Sequence, residues 1–375
     1  MPVHLTSAQL ARDLALTDLS DPADGPHAIQ RLIEAAVAAL TAAWGCEARW
    51  CRGPRVVTAA DNYDHLGYPA AAVTRDARYT RYVDDGRMLR SHSSAMVPPA
   101  LRDLAAGPPG DVLLVCPGIV YRRDAIDWQH SGTPHQLDLW RISPRPLGHT
   151  DLDEMISVLL GALVPGRRSR QEPRQHPYTS GGHQVDVAHG DGWVEVWECG
   201  LADPGVLAAA GLAGHGGLAL GMGLDRLLML RKQIPDIRLL RSADPRVAGQ
   251  MRDLARYRPV SAMPAIRRDL SVAVGPQDDD ETLGDRIRDA LGPDADCVED
   301  VAILSSTAAA DLPSAAAARL GARPGQRNLL VRVVLRHLER TLTDDEANAL
   351  RDRVYAAIHR GTRHQWATWS AARSG

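Results

Sequence analysis

The sequence contains no phenylalanine, although its 375 residues include 8 tryptophans and 8 tyrosines. Phenylalanine is a routine core residue in globular proteins, so its absence is a bias that calls for an explanation. The chain also lacks any apolar run that approaches membrane-spanning length. We therefore expect a protein without a membrane partner.

Cysteine is scarce, and neither sign of charge dominates. The five cysteines form no CxxC pair and no zinc-like spacing, which favours free thiols in a reducing compartment. Lys+Arg 43 and Asp+Glu 46 give a net charge of -3, so any nucleic-acid binding needs a local basic face. The N-terminus has no basic start followed by an apolar core, which argues against a secretory signal. We expect a cytoplasmic protein.

Hydrophobic patterns predict an α+β protein with two domains. Apolar residues at helical spacing predict helices over 29–40, 151–163 and 224–231. Short apolar or alternating runs predict the strands of a mainly antiparallel sheet over 55–59, 112–116, 136–142, 185–187, 193–197 and 218–220. The predicted domains are 1–242 and 261–375, joined by a linker over 243–260.

The pattern restarts in the C-terminal domain. It predicts strands over 268–274, 298–304 and 329–335 and helices over 281–291 and 343–359. Thr343 and Glu346 form a capping box for the last helix. This order matches a ferredoxin-like split unit whose final strand would lie near 365–368.

Two segments in the first domain bring polar side chains together. Residues 90–94 read RSHSS, and residues 117–140 place Arg122 at the end of a predicted strand, before a polar loop. An arginine on a rigid strand can bind a phosphate or carboxylate through two parallel hydrogen bonds. These segments are therefore candidates for anion binding.

Two later segments are rich in glycine. Residues 176–187 read HPYTSGGHQVDV, and residues 216–227 read GGLALGMGLDRL. Glycines let a backbone approach a ligand closely, and Arg226 stands near the start of a predicted helix, where phosphate charge is favoured.

Together and in this order, the segments resemble those of phenylalanine-tRNA ligases, class II aminoacyl-tRNA synthetases, in the single-chain form typical of mitochondria. The text YRRDAIDWQHSGTPHQLDLW resembles the family's motif 2, and GMGLDRL resembles its motif 3. The texts DNYDHLGYPA, RSHSSA and IPDIRLL resemble neighbouring family segments, and RRDLSV and LRHLERTL resemble its anticodon-binding domain. The resemblance covers nearly the whole chain and implies a class II antiparallel sheet flanked by helices, followed by a ferredoxin-like anticodon-binding domain.

The resemblance implies an enzyme that uses ATP and Mg²⁺ to activate an aromatic amino acid, phenylalanine by descent, as an aminoacyl-adenylate and transfers it to tRNA. The implied partners are tRNA and the amino acid, and the implied assembly is a monomer or a homodimer. Attack of a carboxylate on the α-phosphorus needs no side-chain nucleophile. It needs two anions brought together and charge stabilised as pyrophosphate leaves.

The resemblance also implies a role for each matching residue. Arg122 would bind the α-phosphate and Arg226 the terminal phosphates, so both would be catalytic. The rest of the nucleotide site would be Asp124, His130 and Pro134. The amino and carboxylate groups of the amino acid would be held by His92, Ser94, Gln136 and Asp138. Its side chain would be held by His176, Tyr178, Ala219 and Gly221. Glu195 would help to bind Mg²⁺.

The chain departs from the family where it would face its substrates. The family's F-P-F is His176-Pro177-Tyr178 here, the phenylalanine that stacks on adenine is Pro134, and Asp138 stands where a glutamate is usual. In one interpretation, tyrosine and histidine keep the pocket's shape and the lost phenylalanines belong to the chain-wide bias. In the other, specificity has moved to a polar or ring-modified amino acid.

The alternatives to the ligase are a paralogue with changed specificity that serves a specialised pathway and a non-catalytic tRNA-binding protein. The joint presence of Arg122, His130, Gln136 and Arg226 argues against the second.

Two further features are predicted to be structural. Trp193 and Trp197 alternate along one strand and should fill a core, and the arginine-rich run 167–170 should form a solvated turn.

Overall fold

The computed structural model describes residues 4–77, 79–107, 110–259, 264–338 and 340–364. The chain divides into two compact units, each assembled from several segments. Unit 1 comprises Met1–Arg122, Thr133–Pro235 and Gly249–Tyr257. Unit 2 comprises Arg123–Gly132, Asp236–Ala248 and Arg258–Gly375. The domain boundaries inferred from the sequence stay a prediction.

A seven-stranded sheet forms the centre of unit 1. Its strands are β1 (Glu47–Trp50), β4 (Val112–Ile119), β5 (His135–Ser143), β6 (Ser169–Pro173), β7 (Thr179–His189), β8 (Gly192–Ala202) and β9 (Gly216–Gly223). They lie in the order β1-β4-β5-β9-β8-β7-β6, and only the β1–β4 pair is parallel. A separate antiparallel pair joins β2 (Val56–Thr58) and β3 (Arg87–Leu89).

Helices flank this sheet. They are α1 (Ser7–Leu14), α2 (Ala28–Trp44), α3 (Ala59–Asn62), α4 (Val97–Ala105), α5 (His149–Leu163), α6 (Pro204–Ala209) and α7 (Leu224–Lys232). In α2 the apolar residues recur at helical spacing and are buried, and Gly45 ends the helix in the left-handed conformation. Helices α4 and α6 pack on the sheet face that carries Trp140 and Ala219. The predicted class II type of architecture, an antiparallel sheet flanked by helices, is confirmed.

Unit 2 contains a three-stranded antiparallel sheet. Its strands are β10 (Ile266–Val274), β11 (Val298–Ala308) and β12 (Arg327–Leu335), in the order β10-β12-β11. Its helices are α8 (Pro245–Ala248), α9 (Asp280–Leu291), α10 (Ser314–Leu320) and α11 (Asp344–Ile358). The capping box of Thr343 and Glu346 is confirmed at the start of α11. The strand order equals that of the first three strands of a ferredoxin-like unit. The final strand predicted near 365–368 lies outside the described residues, so the ferredoxin-like assignment stays a prediction.

Three local predictions are wrong. The strand predicted to end at Arg122 ends at Ile119. Trp197 is buried as predicted, but Trp193 is 38% exposed because a bulge in β8 between them reverses the alternation of side chains. The run 167–170 is no turn, since it leads into the exposed edge strand β6, where Arg170 pairs with Asp186 at 2.7 Å.

Two further properties concern the described ranges as a whole. None of the helices found there is long and apolar enough to cross a membrane. All five cysteines are free thiols.

Candidate active site

Three neighbouring strands of unit 1 place the central residues of the site in register. Asp138 of β5 lies opposite Gly221 of β9, and Gly221 lies opposite Glu198 of β8. Residues paired across strands point to the same face of a sheet, so two carboxylates stand on either side of a glycine. Next along the same face, Trp140 lies opposite Ala219. A Cβ atom built on Gly221 would have the Asp138 carboxyl group as its nearest neighbour, at 3.8 to 4.0 Å.

Asp138 is a buried carboxylate held by neutral donors. It is 2% exposed and accepts hydrogen bonds from the Ser93 hydroxyl at 2.5 Å and from the Trp140 indole at 3.4 Å. Ser94 adds a further hydroxyl contact. Burial raises the pKa of Asp138 above its ordinary value. Within the described ranges, no cationic side chain forms an ion pair with it, so this carboxylate is suited to a cationic group of a ligand.

The loop after β3 carries His92, whose chain neighbour Ser93 bonds Asp138. The Asn62 amide nitrogen lies 3.3 Å from Nε2 of His92, and because an amide nitrogen only donates, this contact favours the tautomer with the proton on Nδ1. Burial, followed by the charges of Arg122 and His176, lowers the pKa of His92 to about 3. Nδ1 is buried without a hydrogen-bond partner among the described residues. A neutral N–H donor is thus available to a ligand.

Gln136 of β5 fixes the loop that carries His92 and Ser94. Its side-chain oxygen accepts a hydrogen bond from the backbone N–H of Ser93 at 3.2 Å. Of the residues predicted to hold the amino and carboxylate groups, all four therefore lie together in unit 1.

Aromatic rings form the wall predicted to face the amino acid side chain. Tyr178 stacks on Trp140, with ring centroids 5.7 Å apart, and on His176, with centroids 5.2 Å apart. Tyr178 is buried, which raises its pKa well above the ordinary value. Ala219 is fully buried in the same apolar cluster.

Glu198 joins this wall, although no sequence motif predicts it. One of its carboxylate oxygens bonds Nε2 of His176, and the other pairs with Nε of Arg174 at 2.9 Å. Burial raises the pKa of Glu198, but the hydrogen bond and charge of His176 and the charge of Arg174 outweigh it and leave the pKa below the ordinary value. The sequence offered only the glutamate of WECG as a signal. In the structure this glutamate lies two strands away from Asp138.

The two arginines predicted to bind phosphates are both in unit 1. Nε of Arg122 donates to the carbonyl of Ser91 at 2.8 Å, which ties Arg122 to the His92 loop. Arg226 is the third residue of α7, and its Nη1 donates to the carbonyl of Glu195 at 3.3 Å. The pKa of Glu195 is raised by burial and by the charges of Glu198 and Asp186.

The other predicted nucleotide-site residues fall in both units. Pro134 lies in unit 1, where its carbonyl accepts from the N–H of Val120 at 2.8 Å. Asp124 and His130 belong to unit 2. The Asp124 carbonyl accepts a hydrogen bond from Arg288, and Nδ1 of His130 bonds Asp127 at 2.5 Å.

A buried histidine that sequence reasoning missed supports the unit 1 residues. His135 is 0% exposed, and its Nε2 accepts from the N–H of Leu19 at 3.1 Å. Nδ1 must then donate, and it reaches the Asp225 carboxylate at 3.0 Å. The network joins the residue after Pro134 to the residue before Arg226, so it positions both. Only the adjacency of His135 and Asp225 to predicted site residues could have identified it.

The described residues contain no cluster of three or more His, Cys, Asp or Glu side chains arranged to hold a metal. Burial and the charges of Glu198 and Asp186 raise the pKa of Glu195 although Arg226 and Arg174 oppose them, so a further cation would stabilise its charged form. Because Mg²⁺ usually takes only one or two carboxylates and fills its shell with phosphates and water, Glu195 fits the predicted role.

Comparison with known proteins gives one family match. The family described as "tRNA synthetases class II core domain (F)" matches residues 13–251. The phenylalanine-tRNA ligase alpha subunit of Nostoc punctiforme is 35% identical over 201 residues, which cover 53% of this chain and 59% of the subunit. The chloroplastic/mitochondrial phenylalanine-tRNA ligase of Arabidopsis thaliana is 28% identical over 313 residues, 80% of this chain and 68% of that protein.

The chain thus spans about three fifths of the length of such alpha subunits. Among solved structures, a pyrrolysyl tRNA synthetase of Desulfitobacterium hafniense has a TM-score of 0.43 and 20% identity, and covers 62% of this chain and 78% of its own.

Proposed function

The chain belongs to the family of class II tRNA synthetase core domains, and from this premise we propose that it is an aminoacyl-tRNA ligase. It activates an aromatic amino acid, phenylalanine by resemblance, with ATP and transfers it to tRNA. The relatives named phenylalanine-tRNA ligase support this choice of substrate.

The observation that carries the proposal is that the loop of His92 is bonded to Asp138 through the hydroxyl of Ser93, the residue after His92. A buried carboxylate without a cationic partner in the described ranges suits an α-ammonium group. The neutral His92 ring on the same loop offers an N–H that suits a carboxylate. The two groups of every α-amino acid are one carbon apart, so a site for both on adjacent elements favours an amino acid as the ligand.

In the proposed first step, an oxygen of the amino acid carboxylate attacks the α-phosphorus of ATP. A new O–P bond forms, the bond to the bridging oxygen breaks, and pyrophosphate leaves with its electron pair. Arg122 follows β4 and is hydrogen-bonded to the loop that carries His92, so it is suited to the α-phosphate beside the carboxylate. Arg226 binds the leaving phosphates from the first turn of α7.

Mg²⁺ would be held by Glu195 together with the phosphates, and when bound it neutralises charge on them. The Asp138, His92 and Gln136 side chains hold the amino acid while this charge develops. In the second step, a terminal hydroxyl oxygen of tRNA attacks the carbonyl carbon, and the bond from that carbon to the phosphate oxygen breaks. AMP leaves with the electron pair, and the hydroxyl proton passes to the released phosphate group or to solvent. The main task of the protein in that step is to hold the adenylate and the tRNA end together.

The test is amino-acid-dependent exchange of labelled pyrophosphate into ATP by the purified full chain, with phenylalanine, tyrosine, histidine and ring-modified analogues. We expect exchange that requires both an amino acid and Arg122, and loss of exchange in Arg122→Gln. The matched control is Arg87→Gln, since Arg87 is an exposed arginine that pairs with Asp84 in the same unit. Absence of exchange with every amino acid would contradict the proposal. Charging of tRNA is then measured with the best amino acid.

A further inference from the structure

Tyr68 lies in the candidate site, and although it stands in the family-like segment DNYDHLGYPA, the sequence assigns it no role. Its ring stacks on His92, with centroids 5.8 Å apart and planes 26° apart. It also contacts the ring of Tyr178, with centroids 6.2 Å apart. His92 belongs to the end of the site suited to the amino and carboxylate groups, and Tyr178 belongs to the aromatic wall. Tyr68 is thus the ring that joins the two ends.

The backbone fixes Tyr68 in this place. Gly67 adopts a φ of 75°, and a Cβ atom there would lie 3.1 Å from the carbonyl oxygen of Pro177. The chain therefore packs closely on the turn between His176 and Tyr178. The N–H of Tyr68 donates to the carbonyl of Tyr63 at 3.1 Å, and the Tyr63 ring contacts the Tyr68 ring edge-on at 5.6 Å.

The charges of Asp138, Glu198 and Arg122 act on the hydroxyl of Tyr68. Burial, together with the charges of Asp138 and Glu198, raises the pKa of Tyr68 to about 12, against the opposing charge of Arg122. The phenol therefore stays protonated at neutral pH and is available as a hydrogen-bond donor. Asp138 and Glu198 are the two carboxylates on either side of Gly221, and Arg122 is the arginine proposed to bind the α-phosphate.

On the premise of the proposed function, we propose that Tyr68 contacts the bound amino acid and is a specificity-determining residue that limits the size of the side chain the site accepts. Tyr68 lies against both His92 and Tyr178, so the side chain of an amino acid held at Asp138 and His92 that extends toward the aromatic wall passes Tyr68. Its ring therefore borders the space available to the substrate ring. The substrate class is an α-amino acid with a single aromatic ring, and ring substituents that extend further are excluded by Tyr68.

The experiment measures kcat/KM for pyrophosphate exchange with the amino acid that the wild type uses best and with a para-substituted, longer derivative of it. Tyr68→Ala removes the ring, and Tyr68→Phe removes only the hydroxyl. We expect the ratio of longer to preferred substrate to rise about 10-fold or more in Tyr68→Ala, since a change of a few atoms in a pocket has effects of this size. In Tyr68→Phe the ratio should stay within about twofold, because the ring is kept. The KM for ATP should stay within about twofold in both.

The matched control is Tyr82→Ala. Tyr82 is a tyrosine of the same unit whose hydroxyl donates to the carbonyl of Arg75 at 2.8 Å, and it has no ring contact with His92 or Tyr178 within the described ranges. Its substrate ratio should equal that of the wild type. If Tyr68→Ala does not fold, as judged by its unfolding transition, Tyr68→Leu takes its place with the same expected direction.

The outcomes separate this inference from the function on which it rests. A wild type that exchanges pyrophosphate, together with an unchanged substrate ratio in folded Tyr68→Ala and Tyr68→Leu, would overturn the role of Tyr68 alone. A ratio that changes equally in Tyr82→Ala would also overturn it. A wild type inactive with every amino acid overturns both proposals.

Discussion

Two carboxylates in one row of the sheet, Asp138 and Glu198, have the same chemistry and opposite environments. Asp138 is held by hydroxyl and indole donors, and burial raises its pKa. Glu198 is held by Arg174 and His176, which lower its pKa in spite of burial. A buried acid left without a cation is suited to a ligand, whereas an acid already paired with two basic groups is suited to holding its neighbours in place. Partners therefore assign the two roles, and residue type does not.

The largest effect is expected from Asp138→Asn. It removes the charge that binds the α-ammonium group, so kcat/KM for the amino acid in pyrophosphate exchange should fall about 10- to 100-fold, the usual range for a lost hydrogen bond to a charged group. The free energy of unfolding at pH 7 should rise, because a desolvated charge is lost. A variant that keeps its amino acid affinity would show that the ammonium group binds elsewhere.

The glycine between the two carboxylates permits a paired test. In Gly221→Ala the new methyl group meets Asp138 at ordinary contact distance, so the fold should persist while the KM for the amino acid rises about 10-fold. In Gly182→Ala the methyl group would lie 2.5 Å from the Arg174 carbonyl and 2.6 Å from the Cys199 carbonyl, so the free energy of unfolding should fall by about 1–3 kcal/mol. Thermal unfolding and exchange kinetics of both variants check this. An equal loss of stability in the two variants would show that Gly221 has no room for a methyl group.

The opposite pKa shifts predict opposite pH dependences of stability. The folded pKa of Glu198 lies below its ordinary 4.5, so its stabilising contribution is present above pH 4.5 and is lost as the pH falls through the folded value. The folded pKa of Asp138 lies above its ordinary 3.8, so its charge destabilises the fold as the pH rises through the folded value. The free energy of unfolding is measured with denaturant between pH 3 and 7. At pH 7, Glu198→Gln should be less stable than the wild type and Asp138→Asn more stable. Both differences should disappear at low pH. Parallel curves would contradict the comparison.

The smallest effect concerns His92. Its folded pKa of about 3 lies below the ordinary 6.5, so the unfolded chain takes up a proton first and the fold loses stability as the pH falls below 6.5. His92→Gln cannot take up that proton, so its free energy of unfolding should depend less on pH between 7 and 5 than that of the wild type. Identical slopes would show that His92 titrates normally.

The sequence predicted the elements that follow a simple period. Helix α2 and strand β5 lie where apolar spacing placed them, and the resemblance predicted that Asp138, Gln136 and His92 belong to one site. It did not predict Glu198 or Tyr68 as members. Glu198 is brought opposite Asp138 only by the register of β8 on β9 and β9 on β5, and register is not visible in one sequence.

Trp193 shows the same limit from the other side. Strict alternation predicts that it shares the buried face of Trp197, but a single extra residue in the bulge reverses the faces. The unit 2 membership of Asp124 and His130 was likewise unpredictable, because the contacts of their loop, such as those made by Arg288, come from residues more than 150 positions later.

The most direct test of the account is calorimetric binding of three related ligands to the wild-type chain: phenylalanine, the same molecule without its amino group, and the same molecule without its carboxylate. We predict that loss of the amino group weakens binding most, because Asp138 then stays buried without a cation, and that loss of the carboxylate weakens it less, because His92 is a neutral donor. Equal binding of phenylalanine and its deaminated analogue would contradict the assignment of Asp138 and with it the proposed site.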